Sequence, residues 1–196
     1  MAFGVLPALL AIYARGLALP VLFIVAWVCL VLLWRDPTFQ RDQLWRREQL
    51  WTWLRGPLAL ALGVGTLAAV GLYLLEPGHL FDLPRNSPWR WLLVMLLYPV
   101  LSVVPQELVF RTFFFHRYGR LFEGRWAATV ASATVFAWAH IVLLNSLAVV
   151  LTLLGGWLFA RTYLRTRSLL ATAVEHAAYG CLLFTVGLGR WFVTGG

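Results

Sequence analysis

Long apolar runs separated by short, arginine-bearing loops dominate this sequence and restrict what it can fold into. Five runs have the roughly 17 to 25 residues that a helix needs to cross a bilayer. They lie at 16–34, 56–75, 91–115, 126–144 and 169–188. Two shorter runs, 3–14 and 146–160, are candidates for tilted or partly re-entrant segments. We therefore predict an all-α, polytopic transmembrane bundle of about seven helices, with a range of six to eight.

The composition agrees with a surface that lies mostly in lipid. Hydrophobic residues make up 61% of the 196 positions and charged residues 12%, too few polar groups to cover a water-soluble globule. We treat 1–196 as one integral membrane domain, with N-terminal helices and an interfacial segment in 1–87 and the motif-bearing helices in 88–189. The N-terminus lacks a basic region and a clear cleavage site, so we expect no removable signal peptide.

The arginines predict an orientation in the membrane. All sixteen basic residues are arginines, and they form no patch with base-stacking aromatics, so we expect no nucleic-acid partner. If the runs alternate across the bilayer, the loops 35–55, 116–125 and 161–168 share one side and carry eleven arginines. These loops are predicted to face the cytoplasm of a bacterial inner membrane. Within 35–55, apolar and charged residues alternate, which predicts an interfacial helix, with a solvated loop as the alternative.

Five ionisable residues lie inside the predicted spans: Glu107, Arg111, His140, Glu175 and His176. Charge at membrane depth costs at least about 2.5–3.5 kcal/mol, so such residues generally face a cavity or one another and mark function. Glu107 and Arg111 are four residues apart on one helix face, where they can form an ion pair. A purely structural polar network is the alternative.

A carboxylate and two histidines can hydrolyse a peptide without a covalent nucleophile. The carboxylate and one histidine deprotonate a water molecule, and the second histidine donates to the oxyanion. Glu107, His140 and His176, with Arg111 as the ionic partner, are therefore the candidate catalytic residues. We expect no cofactor. Zinc is the alternative because the same side chains can ligate it, although no His-Glu-x-x-His helix is present.

Three motifs follow one another on successive spans: Gln106-Glu107-x-x-x-Arg111, Phe136-x-x-x-His140 and His176. In order and spacing they resemble the CAAX-protease and bacteriocin-processing family, also called the type II CAAX prenyl endopeptidases, over about residues 88–185. The resemblance implies an intramembrane glutamic endopeptidase that acts on a membrane-associated peptide or protein. A sorting tail of the myxosortase type, a leader peptide and a prenylated tail are the substrates that it suggests.

Two positions depart from the family pattern. Gln106 replaces the first glutamate of the usual pair, and a neutral amide cannot accept the proton that this glutamate takes. Gly180 occupies the position of an asparagine that stabilises the oxyanion, which leaves Tyr179 or a backbone amide as the substitute. We therefore expect activity to depend on Glu107, with Glu175 as the second candidate. A non-catalytic binding or immunity protein and a small transporter or proton relay are the competing hypotheses.

Overall fold

The computed structural model of the protein describes residues 2–48 and 50–192, and helices form nearly all of it. Within these residues there are eight helices and no strand, which confirms the all-α prediction. The helices are α1 (Ala2–Tyr13), α2 (Ala18–Arg35), α3 (Leu50–Leu75), α4 (Asp82–Asn86), α5 (Pro88–Leu121), α6 (Gly124–Leu143), α7 (Ser146–Thr166) and α8 (Leu169–Val186). The four residues His140–Leu143 at the end of α6 form a 3₁₀ turn.

Six of the described helices are long and apolar enough to cross a membrane: α2, α3, α5, α6, α7 and α8. The predicted count of seven is therefore one too many, although six lies within the predicted range. The 12 residues of α1 extend about 18 Å, which is short of the roughly 30 Å of a bilayer core. The prediction that 146–160 is a short segment is wrong, because α7 continues through Arg161 and Arg165 to Thr166. The protein is thus a multi-pass membrane protein.

The three arginine-bearing loops lie at the same end of the bundle, as predicted. Ser168, between α7 and α8, donates from Oγ to the backbone carbonyl of Arg46 at 2.5 Å. Near the same end, Nε2 of His116 contacts Oδ2 of Asp36 at 2.9 Å. At the opposite end, the backbone N–H of Phe81 donates to the carbonyl of Val186 at 3.1 Å. These contacts confirm that the long helices alternate in direction.

The interfacial helix predicted between Arg35 and Arg55 is not present in the described residues. A 3₁₀ turn, Arg41–Leu44, occupies part of this segment, and α3 begins at Leu50 instead of the predicted 56. Of the apolar side chains that suggested an interfacial helix, Leu54 is fully buried, whereas Trp51 is 70% exposed. The second half of the stretch therefore forms the start of α3 instead of a separate helix.

Helix α5, which carries the first motif, is irregular. Its hydrogen bonds widen to the π pattern at Pro99–Val103 and again at Leu108–Phe113, with the short α-helical stretch Val104–Glu107 between them. Pro99 and Pro105 lack the backbone N–H that a regular helix needs, so the hydrogen-bonding ladder must shift at both places. Such π segments often occur at functional sites because they change which residues share a helix face.

Close packing of α6 against α7 fixes the second motif. A Cβ atom added to Gly156 would lie 3.1 Å from the Cα atom of Ala133 and 3.1 Å from the ring of Phe136. A small residue at this point therefore allows the two helix backbones to approach closely, as in many membrane bundles. The contact holds Phe136 one turn before His140 on α6.

Candidate active site

Glu107 and His176 form a buried pair that joins α5 to α8. Oε1 of the carboxylate lies 2.8 Å from Nδ1 of the imidazole. Glu107 is fully buried, and His176 is 7% exposed. Because a carboxylate only accepts, Nδ1 carries the proton, and the neutral ring has its lone pair on Nε2. The contact fixes both the tautomer and the orientation of His176.

Arg111 lies on the other side of the same carboxylate. Its Nε atom is 3.4 Å from Oε2 of Glu107, and both side chains are fully buried, which confirms the predicted ion pair. Nη1 donates to the carbonyl of Phe110 at 3.1 Å and to Oγ of Ser132 at 3.3 Å. The guanidinium also stands 4.6 Å above the ring of Phe136. These contacts compensate for burying the arginine, which unpaired would be strongly destabilising.

Aromatic rings surround His176. Its imidazole stacks on Phe159, with ring centroids 4.5 Å apart and an interplanar angle of 16°. Phe136 meets it edge-on at 5.7 Å. The hydroxyl of Tyr98 lies 3.2 Å from Nε2 and donates to it in the tautomer that Glu107 selects. One face of this ring and both of its nitrogens therefore have a defined partner.

His140 is fixed by its own helix. Its Nδ1 atom lies 2.8 Å from the carbonyl oxygen of Phe136, so Nδ1 donates and Nε2 carries the lone pair. The rings of Phe136 and His140 are 4.6 Å apart. His140 is the first residue after the α-helical part of α6, which ends at Ala139. The result is a neutral imidazole with Nε2 set to accept a proton.

Both histidines line one large cavity. It has a volume of about 1050 Å³ and lies among α1, α2, α3, α5, α6, α7 and α8. Its walls are mostly apolar, and its polar side chains include Tyr98, Gln106, His140, His176 and Tyr179. The substrate-sized space therefore meets two imidazoles from two helices.

Glu107 is not among the residues that line this cavity, although its carboxylate contacts His176 directly. Its carboxylate is enclosed by His176 on one side and Arg111 on the other. Gln106, rotated about 100° from Glu107 around the helix, faces the cavity instead. The acid lies behind His176 and reaches the cavity only through that ring.

The family model described as type II CAAX prenyl endopeptidase Rce1-like matches residues 88–182. This part of the chain is similar to the Rce1-like family. The resemblance drawn from the motifs is confirmed, and the Rce1-like segment runs from the start of α5 into α8. No curated protein and no solved structure matches the chain.

Glu175 also lies in the Rce1-like segment, but it does not line the cavity. Glu175 is 2% exposed and hydrogen-bonds to Thr162 on α7. It adjoins His176 in sequence, yet successive residues of a helix point about 100° apart. The suggestion that Glu175 takes over as the base therefore has no support in its position.

Sequence reasoning missed Tyr98 as a residue of the Rce1-like site. A single tyrosine in an apolar run has no motif, and only the folded chain brings it to His176. Among the described residues, no group of three His, Cys, Asp or Glu side chains is placed to hold a metal ion.

Proposed function

We propose that this protein is an intramembrane endopeptidase of a bacterial inner membrane, which hydrolyses a peptide bond of a membrane-associated protein or peptide. One observation carries the proposal. His140 and His176, from two different helices, line one apolar cavity inside a bundle of membrane-spanning length. The match of residues 88–182 to the Rce1-like family model supports proteolysis as the activity.

His140 acts as the general base. Its Nε2 lone pair takes a proton from a water molecule while the water oxygen forms a bond to the scissile carbonyl carbon. The carbonyl π electrons move to the carbonyl oxygen, which becomes an oxyanion. The proton on Nε2 then passes to the amide nitrogen as the C–N bond breaks. The products are a new carboxyl terminus and a new amino terminus.

His176 acts on the carbonyl oxygen. With Nδ1 bound to Glu107, Nε2 of His176 takes up a proton from solvent before the reaction, and the resulting imidazolium donates this N–H to the developing oxyanion. This proton stays on Nε2 throughout the hydrolysis. Glu107 is then a positioning residue that orients His176 and compensates for its charge. This differs from the sequence hypothesis, in which Glu107 activates water directly, because the carboxylate does not reach the cavity. Arg111 keeps the carboxylate paired when His176 is neutral.

The cavity favours an apolar substrate segment. A volume of about 1050 Å³ exceeds most small-molecule pockets and accommodates several side chains of an extended peptide. Its apolar walls match a segment that is already in the membrane, such as a sorting tail or a hydrophobic leader. Lipid-embedded substrates of this kind reach the site without leaving the bilayer.

A non-catalytic binding or immunity protein is the second candidate. Gln106 favours it, because the side chain next to Glu107 that does face the cavity is neutral. Its Nε2 group donates to Oγ of Ser102 at 2.7 Å. A cavity that binds a hydrophobic peptide without cutting it needs no base at this position.

The test compares the termini of membrane proteins in host cells that express the native chain, no chain, Glu107→Gln or Glu175→Gln. Glu175→Gln is the matched control, since it also places a buried amide where a carboxylate was, away from the cavity. We expect a set of new termini with the native chain and with Glu175→Gln, and a strong reduction with Glu107→Gln. Identical termini in all four, with the protein folded and abundant, would contradict proteolysis and favour the binding role.

A further inference from the structure

We propose that Tyr98 is a catalytic residue, whose phenolic hydroxyl donates a hydrogen bond to the oxyanion beside Nε2 of His176. This rests on the proposed function and assigns the second donor of that site. Hydrolysis through a tetrahedral intermediate usually needs more than one donor aimed at the oxygen that becomes charged.

The positions of the two groups fit a shared oxyanion. The hydroxyl oxygen of Tyr98 is 3.2 Å from Nε2 of His176, and both side chains line the cavity. One oxygen of a substrate can therefore lie within hydrogen-bonding distance of both. In the resting protein Tyr98 donates to the lone pair of Nε2. Once His176 is protonated, that lone pair is gone, and the phenolic O–H is free to turn to the oxyanion while keeping its own proton.

Gly180 makes the recess that holds Tyr98. A Cβ atom at Gly180 would lie 2.3 Å from the hydroxyl oxygen and 2.4 Å from Cε1 of the tyrosine ring. No residue other than glycine fits unless the tyrosine moves. His176, Gly180 and Phe184 succeed one another at four-residue spacing on one face of α8. The tyrosine ring lies across this face and meets Phe184 edge-on at 5.3 Å.

The π segment of α5 explains how Tyr98 reaches this place. Tyr98 and Glu107 are nine residues apart, about two and a half turns of a regular α-helix, which would put them on opposite faces. They nevertheless contact the two nitrogens of one imidazole. The π segment Pro99–Val103 lies between them and changes the phase of the helix. The irregular helix thus brings both residues to His176.

The first experiment measures how fast the termini that depend on the native chain appear after synthesis is induced. Tyr98→Phe keeps the ring in its recess and removes only the hydroxyl. We expect about a hundredfold slower appearance, the effect of losing one oxyanion donor, with an unchanged Tm. Tyr73→Phe is the matched control, since it also removes one phenolic hydroxyl, from a side chain on α3 that is 64% exposed and does not line the cavity. It is expected to stay within about twofold of the native rate.

A second set of variants separates donation from packing. Tyr98→Ala empties the recess. The double variant Tyr98→Ala/Gly180→Asn places an amide donor in the empty recess. The double variant Tyr98→Ala/Gly180→Leu adds a side chain of similar size without a donor. We expect the Asn double variant to cleave at least about tenfold faster than Tyr98→Ala, and the Leu double variant to give no gain.

The outcomes distinguish this inference from the function on which it rests. Native cleavage that Tyr98→Phe leaves unchanged overturns the role of Tyr98 and leaves the protease intact. Equal rescue by Asn and Leu also overturns it, because packing would then explain the effect. No termini that depend on the native chain would overturn both.

Discussion

Nδ1 of His176 lies 2.8 Å from Oε1 of Glu107, so the first and third motifs meet in one buried hydrogen bond between α5 and α8. The same carboxylate faces Arg111 through its other oxygen at 3.4 Å. One acid therefore serves two partners that carry or can carry positive charge. The Glu107 carboxylate therefore lies on the far side of His176 from the cavity. We expect both the stability of the bundle and the activity to depend on Glu107.

Glu107→Gln should destabilise the protein because it leaves Arg111 buried without its counter-charge. Removing one member of a buried ion pair costs about 3–5 kcal/mol. We expect a clearly lower Tm in detergent for Glu107→Gln, and partial recovery when Arg111→Met is added. Thermal unfolding of the purified single and double variants measures this. A double variant no more stable than the single one would show that the unpaired charge is not the cause.

The close contact of α6 and α7 should make Gly156 intolerant of a side chain. A Cβ atom there would meet the backbone of Ala133 at 3.1 Å, and backbone cannot move aside cheaply. Gly156→Ala should therefore lower stability by about 1–3 kcal/mol. Gly63→Ala is the control, because a Cβ atom at Gly63 has nothing within 4 Å. Equal Tm values for the two variants would contradict the predicted helix contact.

Asp36 should add a pH-dependent contribution to stability at the arginine-rich end. Hydrogen bonds from the side chain of Thr38 and from His116, together with the backbone N–H of Thr38, lower the pKa of Asp36 from its usual 3.8. A lowered pKa means that the ionised group stabilises the folded state above pH 3.8, and that this stability is lost as the pH falls toward the folded-state pKa. The Tm difference between native and Asp36→Asn should therefore shrink below about pH 4. A difference that stays constant from pH 7 to pH 3 would contradict this.

The sidedness of the loops can be measured with single cysteines. In a background with Cys29→Ser and Cys181→Ser, Arg85→Cys and Arg120→Cys place one exposed thiol at each end of the bundle. A membrane-impermeant maleimide should label Arg85→Cys in intact spheroplasts and Arg120→Cys only after lysis, because the arginine-rich loops are predicted to face the cytoplasm. The reverse pattern would invert the orientation.

Helical spacing was sufficient to predict the ion pair but not the direction in which it points. Residues four apart share a face, so Glu107 and Arg111 could be paired from sequence. Which face meets the cavity depends on the π segments of α5 and on how α8 packs against it, and no local pattern encodes either. The resemblance puts the usual catalytic glutamate at position 106, and in the folded chain Gln106 lines the cavity.

Tyr98 and α7 show two further limits of local sequence patterns. The role of Tyr98 depends on the glycine at position 180, which lies far along the chain and becomes a neighbour only after α5 and α8 have packed. Helix α7 was underestimated because its apolar run ends before Arg161. The arginine stands 4.6 Å over the ring of Trp157, so a charged side chain is accommodated on a helix that continues to Thr166.

The most direct measurement of the central claim is the set of membrane-protein termini in cells that express either the native chain or His140→Gln at equal abundance. The proposed mechanism predicts new termini with the native chain and at least about a hundredfold fewer with His140→Gln, because glutamine cannot take a proton from water. The same termini at the same level with both chains, or no new termini with either, would contradict it.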